Sequence, residues 1–282
     1  MWLWAGAVLG FIYLPIVILV VYSFNNSRFT GVWQGFTWNW YRLLLTGSGG
    51  TFPETVGFGR YGLLAALGNS LVVAAVTTVV ATGLGTALAL GLERVRWPGR
   101  VAVEALVLLP LVIPEIAQGV SLLVFFTGVF RLWQQWGGGQ LTLGLPTVTI
   151  GHITFAISFV TLVVRARLAA LDPRWEEAAM DLGANPWQTL WRITLPWLTP
   201  AVVSGALLVF TLSLDDFVVT FFTAGIGATT LPVFVYGMIK FSVTPAINAI
   251  STLMLLASTL LVVLAWGIQG ERGNGGRKEW QT

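Results

Sequence analysis

The sequence lacks the residues on which several classes of chemistry depend. It contains no cysteine, one histidine (His152) and two lysines, Lys240 and Lys278. Without cysteine there can be no disulfide, thiol nucleophile or thiolate metal site, and one histidine cannot form a multi-histidine metal centre. Neither lysine follows a glycine, so the chain has no P-loop of the Gly-Lys-Ser/Thr kind. Any ATP-driven work must therefore come from a separate chain.

Charge is also scarce. Charged residues make up 10% of the 282 residues and hydrophobic residues 56%, with a mean hydropathy of +0.80. A soluble domain of this length could not bury so much apolar surface. The composition therefore predicts an integral membrane protein with an all-α fold, since each helical span satisfies its own backbone hydrogen bonds.

Six apolar stretches are long enough to cross a bilayer as helices, which takes about 20 residues each. We predict spans over residues 2–24, 64–92, 103–126, 147–171, 198–222 and 249–268. Residues 1–282 are predicted to form a single transmembrane domain, and a polar loop over residues 172–196 lies within it between spans four and five.

The basic residues predict the orientation of these spans. Ten of the fifteen lie between spans two and three, around the 172–196 loop, or after span six. Because positive charge collects on the cytoplasmic side, that loop and both termini are predicted to be cytoplasmic. The opposite side carries a long loop over residues 25–63, whose tryptophans suit either an interfacial belt or a surface for a partner.

The 172–196 loop has the signals of two short helices. Asp172 is a good N-cap and Pro173 fits the first helical position. Gly183 is predicted to end this helix in a left-handed conformation. Asn185 and Pro186 then repeat the start signal, and the Leu195-Pro196 pair is predicted to close the second helix before span five.

The motif in this loop is E-A-A, three residues, glycine, nine residues, then I-x-L-P. It resembles the signature loop of permease subunits of ABC importers, which is where such permeases contact their ATPase. The resemblance implies a polytopic type I ABC importer permease (MetI-like) fold. It assigns ATPase coupling to Glu177, Ala178, Ala179, Asp181 and Gly183. Without the motif, the segment would be read as an amphipathic connector on the membrane surface.

Further segments are similar to the spermidine/putrescine, PotC-like branch of these permeases. They are residues 110–123, 151–155, 213–218 and 243–252. The resemblance implies polyamine import across a bacterial inner membrane. It also implies two ATPase subunits that bind ATP and magnesium, a homologous second permease and an extracytoplasmic substrate-binding protein. Contact with membrane lipid is expected, whereas a cofactor in this chain or a nucleic-acid partner is not. Relatives that carry ferric iron, thiamine or other organic ions remain an alternative.

Three acidic residues, Glu115, Asp215 and Asp216, lie well inside predicted spans, where charge is costly and usually faces a cavity or a partner. Glu115 is expected in the middle or outer half of span three. Pro110 and Pro114 predict a kink or break there, which would free carbonyl groups that could face a cation. The two aspartates are expected in the outer half of span five.

The acidic residues suggest a path for a cationic solute, with Phe217 and Tyr236 as aromatic contacts. On a continuous helix adjacent aspartates point about 100° apart, so they cannot face the pore equally, and the sequence does not choose between them. Alternatively, one aspartate caps or bonds another helix, or pairs with the second permease. His152 is expected to be a hydrogen-bonded interface residue rather than a proton relay.

Two other classes of function are less well supported by the sequence. An intramembrane enzyme would depend mainly on a Ser–His dyad, and no Gly-x-Ser-x-Gly elbow accompanies the single histidine. Paired aspartates without other ligand clusters are weak support for a metalloprotease. A stand-alone secondary transporter would not need the 172–196 loop, and six spans would have to dimerise.

Overall fold

The computed structural model of the chain describes residues 2–27, 32–46, 60–95, 98–241 and 245–275. These residues form helices, together with one isolated antiparallel bridge between Asn25 and Phe36. The helices are α1 (Trp2–Tyr22), α2 (Asn39–Thr46), α3 (Arg60–Arg94), α4 (Arg100–Val112), α5 (Glu115–Gln135), α6 (Leu145–Leu168), α7 (Pro173–Asp181), α8 (Pro186–Thr189), α9 (Leu195–Asp215), α10 (Val218–Thr223), α11 (Leu231–Phe241) and α12 (Pro245–Gly275). The predicted all-α class is confirmed.

Five of the described helices are long and apolar enough to cross a membrane: Trp4–Tyr22, Gly62–Arg94, Glu115–Gln135, Leu145–Leu168 and Pro186–Asp215. They correspond to the first five predicted spans. The sixth predicted span lies within α12, which extends beyond it at both ends. The apolar pattern thus identified the spanning segments, although some of their boundaries differ from the prediction.

The chain divides into two compact units, and the three boundaries between them fall within α3, at the start of α11 and within α12. The first unit consists of residues 1–67 and 231–264. Its core is built from α2, α11 and α12, and includes Tyr41, Phe234 and Ile250. Ser23, just after α1, bonds Tyr41 through their hydroxyl groups at 2.6 Å. This bond and the core anchor α2 within the first unit.

The second unit consists of residues 68–230 and 265–282 and contains all of the candidate site residues except Tyr236. Its core includes a stripe of small residues on α3, Ala81, Gly85 and Ala89, which packs with Val160 of α6. A Cβ atom added to Gly85 would lie 2.7 Å from the Val160 Cβ. The helices therefore approach closely here, as small residues at four-residue spacing allow in membrane proteins.

The kink or break predicted within the third span, residues 103–126, is observed as a break. The chain breaks between α4 and α5, where Ile113 is extended (φ −70°, ψ 133°) and Pro114 precedes the new helix. Proline lacks an N–H and disfavours helical geometry in the residue before it, so a break follows. The predicted disruption is confirmed at Pro114, whereas Pro110 remains inside α4. Glu115 begins α5, and its expected depth in the membrane stays a prediction.

The predicted fifth span, residues 198–222, is also interrupted. Helix α9 ends at Asp215, Asp216 has an extended backbone (ψ 124°), and α10 begins at Val218. The assumption that both aspartates lie on one continuous helix was therefore wrong. The physical reason is the side chain of Asp216, which bonds the start of α10.

Candidate functional site

The 172–196 loop begins with a capped helix. The Asp172 Oδ1 atom accepts a hydrogen bond from the backbone N–H of Arg174 at 3.0 Å, and Pro173 occupies the first turn of α7. The carboxylate satisfies one of the free N–H groups of that turn and lies near its positive end. The predicted start of this helix is confirmed.

Gly183 ends α7 in a left-handed conformation, with φ +91°. Its N–H donates to the Met180 carbonyl at 2.9 Å, and the Ala184 N–H donates to the Ala179 carbonyl at 3.0 Å. This pair of bonds is a Schellman motif, whose left-handed position favours glycine because glycine has no Cβ. The predicted C-cap at Gly183 is confirmed, and it fixes the direction in which the chain leaves α7.

The second helix of the loop starts with a capping box. The Asn185 Oδ1 accepts from the Gln188 N–H at 2.8 Å, and the Gln188 Oε1 accepts from the Asn185 N–H at 3.0 Å. These reciprocal bonds satisfy two N–H groups at the start of α8. The predicted second start signal is therefore confirmed.

The prediction that Leu195 and Pro196 close this second helix was wrong. Residues 190–194 form a π-helical turn in which the Leu195 N–H donates to the Leu190 carbonyl, and the helix continues directly into α9. The change from π to α hydrogen bonding falls at Pro196, which has no N–H to offer either pattern. The second helix of the loop and the fifth span are thus one continuous helical segment from Pro186 to Asp215.

Four of the five residues assigned to ATPase coupling are exposed: Glu177, Ala178, Asp181 and Gly183. Ala179 is half-buried. Leu182, between α7 and the glycine turn, is 90% exposed. The exposed part of α7 therefore combines small and acidic residues, and the apolar side chain of Leu182 is exposed beside them.

Glu176, which sequence reasoning did not single out, ties α7 to its surroundings. Its Oε1 atom accepts hydrogen bonds from the guanidinium of Arg94 and the hydroxyl of Thr194. Arg94 also donates to the Thr194 hydroxyl at 2.8 Å. Three segments meet at this carboxylate: the end of α3, the first turn of α7 and the π turn. The sequence offered no signal for it beyond the acidic first turn of α7.

A second charge cluster joins α3, α4 and α6. The Arg165 guanidinium lies 2.7 Å from the Glu93 carboxylate and 3.0 Å from the Glu104 carboxylate, and Arg100 bonds Glu104 at 2.9 Å. These ion pairs link the end of α3 and the start of α4 to the end of α6, the helix that leads into the 172–196 loop. The loop therefore extends from a set of helices whose ends are held together by ion pairs.

A cavity of about 390 Å³ lies at the breaks in the two interrupted spans. Glu115, Asp215, Asp216 and Phe217, four of the five predicted pathway residues, line it. Glu115 and Asp215 come from segments 100 residues apart in sequence. The two helix breaks therefore bring these candidate acidic residues, which are distant in sequence, to one cavity. Its other lining residues include Gln118, Phe155 and Phe159.

The two aspartates have different environments. The Asp216 Oδ2 atom accepts hydrogen bonds from the Thr220 N–H at 2.8 Å and the Thr220 hydroxyl at 3.0 Å, and lies 3.1 Å from His152 Nε2. Asp215 is exposed to the cavity and has no hydrogen-bond or ion-pair partner among the described residues. The alternative that one aspartate caps another helix is thus observed for Asp216.

Glu115 resembles Asp215 in its surroundings. Its side chain is exposed at the start of α5, and no described residue bonds its carboxylate. The carbonyl groups of Pro110 and Ile113 beside the break accept hydrogen bonds from the Gln118 side-chain amide, at 2.6 and 2.9 Å. Each of these two carbonyls thus has one partner within the chain, and a role for them toward a cation stays a prediction.

The remaining pathway candidate, Tyr236, lies in α11 of the first unit, with 46% of its surface exposed. Its role stays a prediction. The cavity also revealed aromatic residues that the sequence did not single out, Phe155 and Phe159 of α6. Their four-residue spacing places them on one helix face, but the same spacing is common in ordinary packing.

The fold and the 172–196 loop define a class of membrane transport component. Residues 80–270 match the family model described as binding-protein-dependent transport system inner membrane component, and the chain belongs to this family. Five helices in the described part of the chain are apolar and of spanning length, so it is a multi-pass inner-membrane protein.

Curated relatives cover nearly the whole chain. The putrescine transport system permease protein PotI of Escherichia coli is 39% identical over 257 residues, which is 91% of this chain and 85% of that protein. The spermidine/putrescine transport system permease protein PotC of Haemophilus influenzae is 38% identical, covering 92% of this chain and 91% of that protein. The PotC of Escherichia coli is 36% identical, covering 95% and 93%.

Solved structures support the fold. A bacterial ABC transporter that imports the acidic polysaccharide alginate contains a chain with a TM-score of 0.74 and 18% identity, covering 96% of both chains. The inward-facing methionine transporter MetNI contains a chain with a TM-score of 0.55 and 20% identity, covering 74% of this chain and 93% of that one. At this identity the likeness establishes the fold alone, and confirms the predicted MetI-like ABC permease architecture.

Proposed function

We propose that this chain is the permease subunit of an ATP-driven importer of polyamines and forms half of its translocation pathway. The curated relatives, at 36 to 39% identity over most of the chain, are named as putrescine or spermidine/putrescine permeases. The observation that carries the proposal is the cavity at the helix breaks, where Glu115 and Asp215 present carboxylates without partners among the described residues. Such groups suit the ammonium groups of a polyamine.

Phe155, Phe159 and Phe217 add aromatic faces to the same cavity. An ammonium group over an aromatic ring is stabilised by roughly 0.5–2 kcal/mol, more when water is excluded. A polyamine alternates ammonium groups with short methylene chains, so it needs carboxylates and apolar faces close together. Ferric iron would favour oxygen ligands without aromatic faces, whereas thiamine, an aromatic cation, is distinguished from a polyamine by the uptake test below. Both stay alternatives for the same machine.

The 172–196 loop is proposed to couple this pathway to a separate ATPase. Glu177, Ala178, Ala179, Asp181 and Gly183 are the proposed contacts. The fixed turn at Gly183 and the bonds of Glu176 support this role, because a rigid, anchored helix transmits displacement better than a mobile one. The proposed assembly has two ATPase subunits, a second permease and a substrate-binding protein outside the membrane. The loop and both termini face the cytoplasm in this proposal.

The solute is tested with the transporter assembled from this chain, its second permease, its ATPase and its binding protein. Uptake of radiolabelled putrescine and spermidine into proteoliposomes is compared with uptake of ferric iron and thiamine. The proposal expects ATP-dependent uptake of the two polyamines and no competition by an excess of thiamine or iron. Uptake of iron or thiamine without uptake of either polyamine would contradict it.

Coupling is tested separately with Glu177→Lys. The variant is expected to reach the membrane at normal abundance and to lose ATP-driven uptake, because it reverses a charge on the exposed face of α7. Co-purification of the ATPase measures whether docking is lost. Normal uptake and normal ATPase binding would refute the assignment of Glu177, without bearing on the identity of the solute.

A further inference from the structure

The only histidine of the chain lies where three helices of the second unit meet. His152 belongs to α6 and is fully buried. Its Nδ1 atom lies 2.7 Å from the Ser213 hydroxyl on α9, and its Nε2 atom lies 2.9 Å from the Thr220 hydroxyl on α10. The same Nε2 atom is 3.1 Å from the Asp216 carboxylate, in the break between α9 and α10.

One assignment of protons satisfies all of these contacts. The Nε2–H points to the Asp216 carboxylate and the Thr220 oxygen, the Thr220 hydroxyl donates to Asp216, and Nδ1 accepts from the Ser213 hydroxyl. The ring thus bonds both sides of the break. A hydrocarbon side chain of similar size could fill the space but could make none of these bonds.

The ring supports a backbone conformation that the local sequence alone does not impose. Residues 213–218 contain neither proline nor glycine, and their local signal for a break is the capping residue Asp216. The break occurs there, with Asp216 capping α10 through the N–H groups of Val219 and Thr220. A buried carboxylate persists only when its hydrogen bonds are satisfied. His152 supplies one of these partners from a different helix, so it fixes the break to α6.

Asp215 depends on this arrangement. It is the last residue of α9, and no described residue bonds its carboxylate, so its position is set by the backbone at the break. If Asp216 returned to the helix, the direction of the adjacent residue would turn with it, because successive residues on a helix differ by about 100°.

We infer that His152 is a positioning residue for solute binding: it holds Asp216 at the start of α10 and thereby keeps the Asp215 carboxylate in the cavity. This inference rests on the proposed function of Asp215 as a ligand for an ammonium group. His152 itself does not contact the solute. Its replacement by leucine removes the polar contacts while keeping an apolar residue in the buried site.

The test is a double-mutant cycle on the assembled transporter, with KM for putrescine uptake and membrane abundance as the two readouts. His152→Leu is expected to raise KM about tenfold when Asp215 is present, which corresponds to losing one charge-assisted hydrogen bond to the solute. In the Asp215→Asn background the same substitution is expected to raise KM less than about twofold, because no carboxylate remains to be misplaced.

The control is Thr154→Val, which removes a hydroxyl on α6 that bonds only the Gly151 carbonyl of its own helix, at 2.6 Å. It is expected to leave KM unchanged in both backgrounds. His152→Gln keeps a donor and an acceptor, and is expected to restore part of the affinity. If His152→Leu does not accumulate in the membrane, the KM of His152→Gln is compared between the two Asp215 backgrounds instead.

The outcomes separate the inference from the function on which it rests. An equal rise in KM in both backgrounds, or a fall in abundance with KM unchanged, would mean that His152 only packs the helices, and the inference is overturned. If Asp215→Asn alone leaves KM unchanged, the proposed role of Asp215 fails and the inference fails with it.

Discussion

Arg94 and Glu176 join the end of a long membrane helix to the helix proposed to contact the ATPase. Their side chains form an ion pair across 82 residues of sequence, and the Thr194 hydroxyl bonds the same carboxylate. Displacement of α7 would therefore act directly on α3 and on the start of α9. Glu177, the next residue, is exposed. The two adjacent glutamates therefore have different surroundings: Glu176 bonds Arg94 and Thr194, whereas Glu177 is exposed.

This ion pair predicts a rescue by charge exchange. Arg94→Glu and Glu176→Arg are each expected to lower ATP-driven uptake about fivefold, as a partly exposed pair is worth up to about 1 kcal/mol. The double variant restores opposite charges and is expected to recover most of the uptake. Uptake is measured in proteoliposomes at equal abundance of the transporter. A double variant no better than either single variant would show that the pair does not transmit motion.

The left-handed turn predicts a graded response at Gly183. Gly183→Ala is expected to cost about 1–2 kcal/mol locally because of the positive φ. Gly183→Pro is expected to abolish uptake, since proline cannot adopt that φ and removes the N–H that bonds Met180. The matched control is Gly91→Ala in α3, where an added Cβ meets nothing within 4 Å. Equal uptake by all three variants would contradict a role for the turn.

Close packing of α3 on α6 predicts opposite effects at two nearby glycines. Gly85→Ala places a Cβ 2.7 Å from that of Val160 and is expected to destabilise the protein by about 1–3 kcal/mol. Gly83→Ala meets nothing within 4 Å and is expected to be neutral or slightly stabilising. Thermal unfolding in detergent measures both. A similar change in melting temperature for the two variants would show that the helices do not approach closely.

The absence of cysteine makes the proposed orientation testable without background labelling. Single cysteines are introduced at two highly exposed positions, Leu182 in the 172–196 loop and Ile226 between α10 and α11. A membrane-impermeant maleimide is expected to label Ile226→Cys in intact spheroplasts, and Leu182→Cys only after permeabilisation. The reverse pattern would contradict cytoplasmic placement of the loop and of both termini.

Much of the fold was predictable because its signals are local. Apolar length identified the spanning segments, Asp172 and Gly183 marked the limits of α7, and Pro114 marked the break that places Glu115 at a helix start. In each case a single residue type imposes the geometry, through a side-chain cap, a positive φ or a missing N–H.

The rest depends on contacts that a linear pattern does not show. Residues 213–218 contain a capping aspartate but neither proline nor glycine, so they are compatible with a broken or a continuous helix. The contact of Asp216 with His152 of α6 is not visible in a linear pattern. The π turn is equally hidden, since Pro196 alone is compatible with either an end or a continuation. Gly119 illustrates a third case: an added Cβ there would lie 2.6 Å from Phe222, a close packing of α5 on α10 that no spacing indicated.

The most direct measurement of the central claim is the concentration dependence of putrescine uptake by Asp215→Asn and Asp216→Asn in the assembled transporter. Asp215→Asn is expected to raise KM about tenfold at normal stability, since one carboxylate to the solute is lost. Asp216→Asn is expected to lower the melting temperature, since its carboxylate bonds His152 and Thr220. Unchanged KM in Asp215→Asn, or full transport by the double variant, would contradict a polyamine path through this cavity.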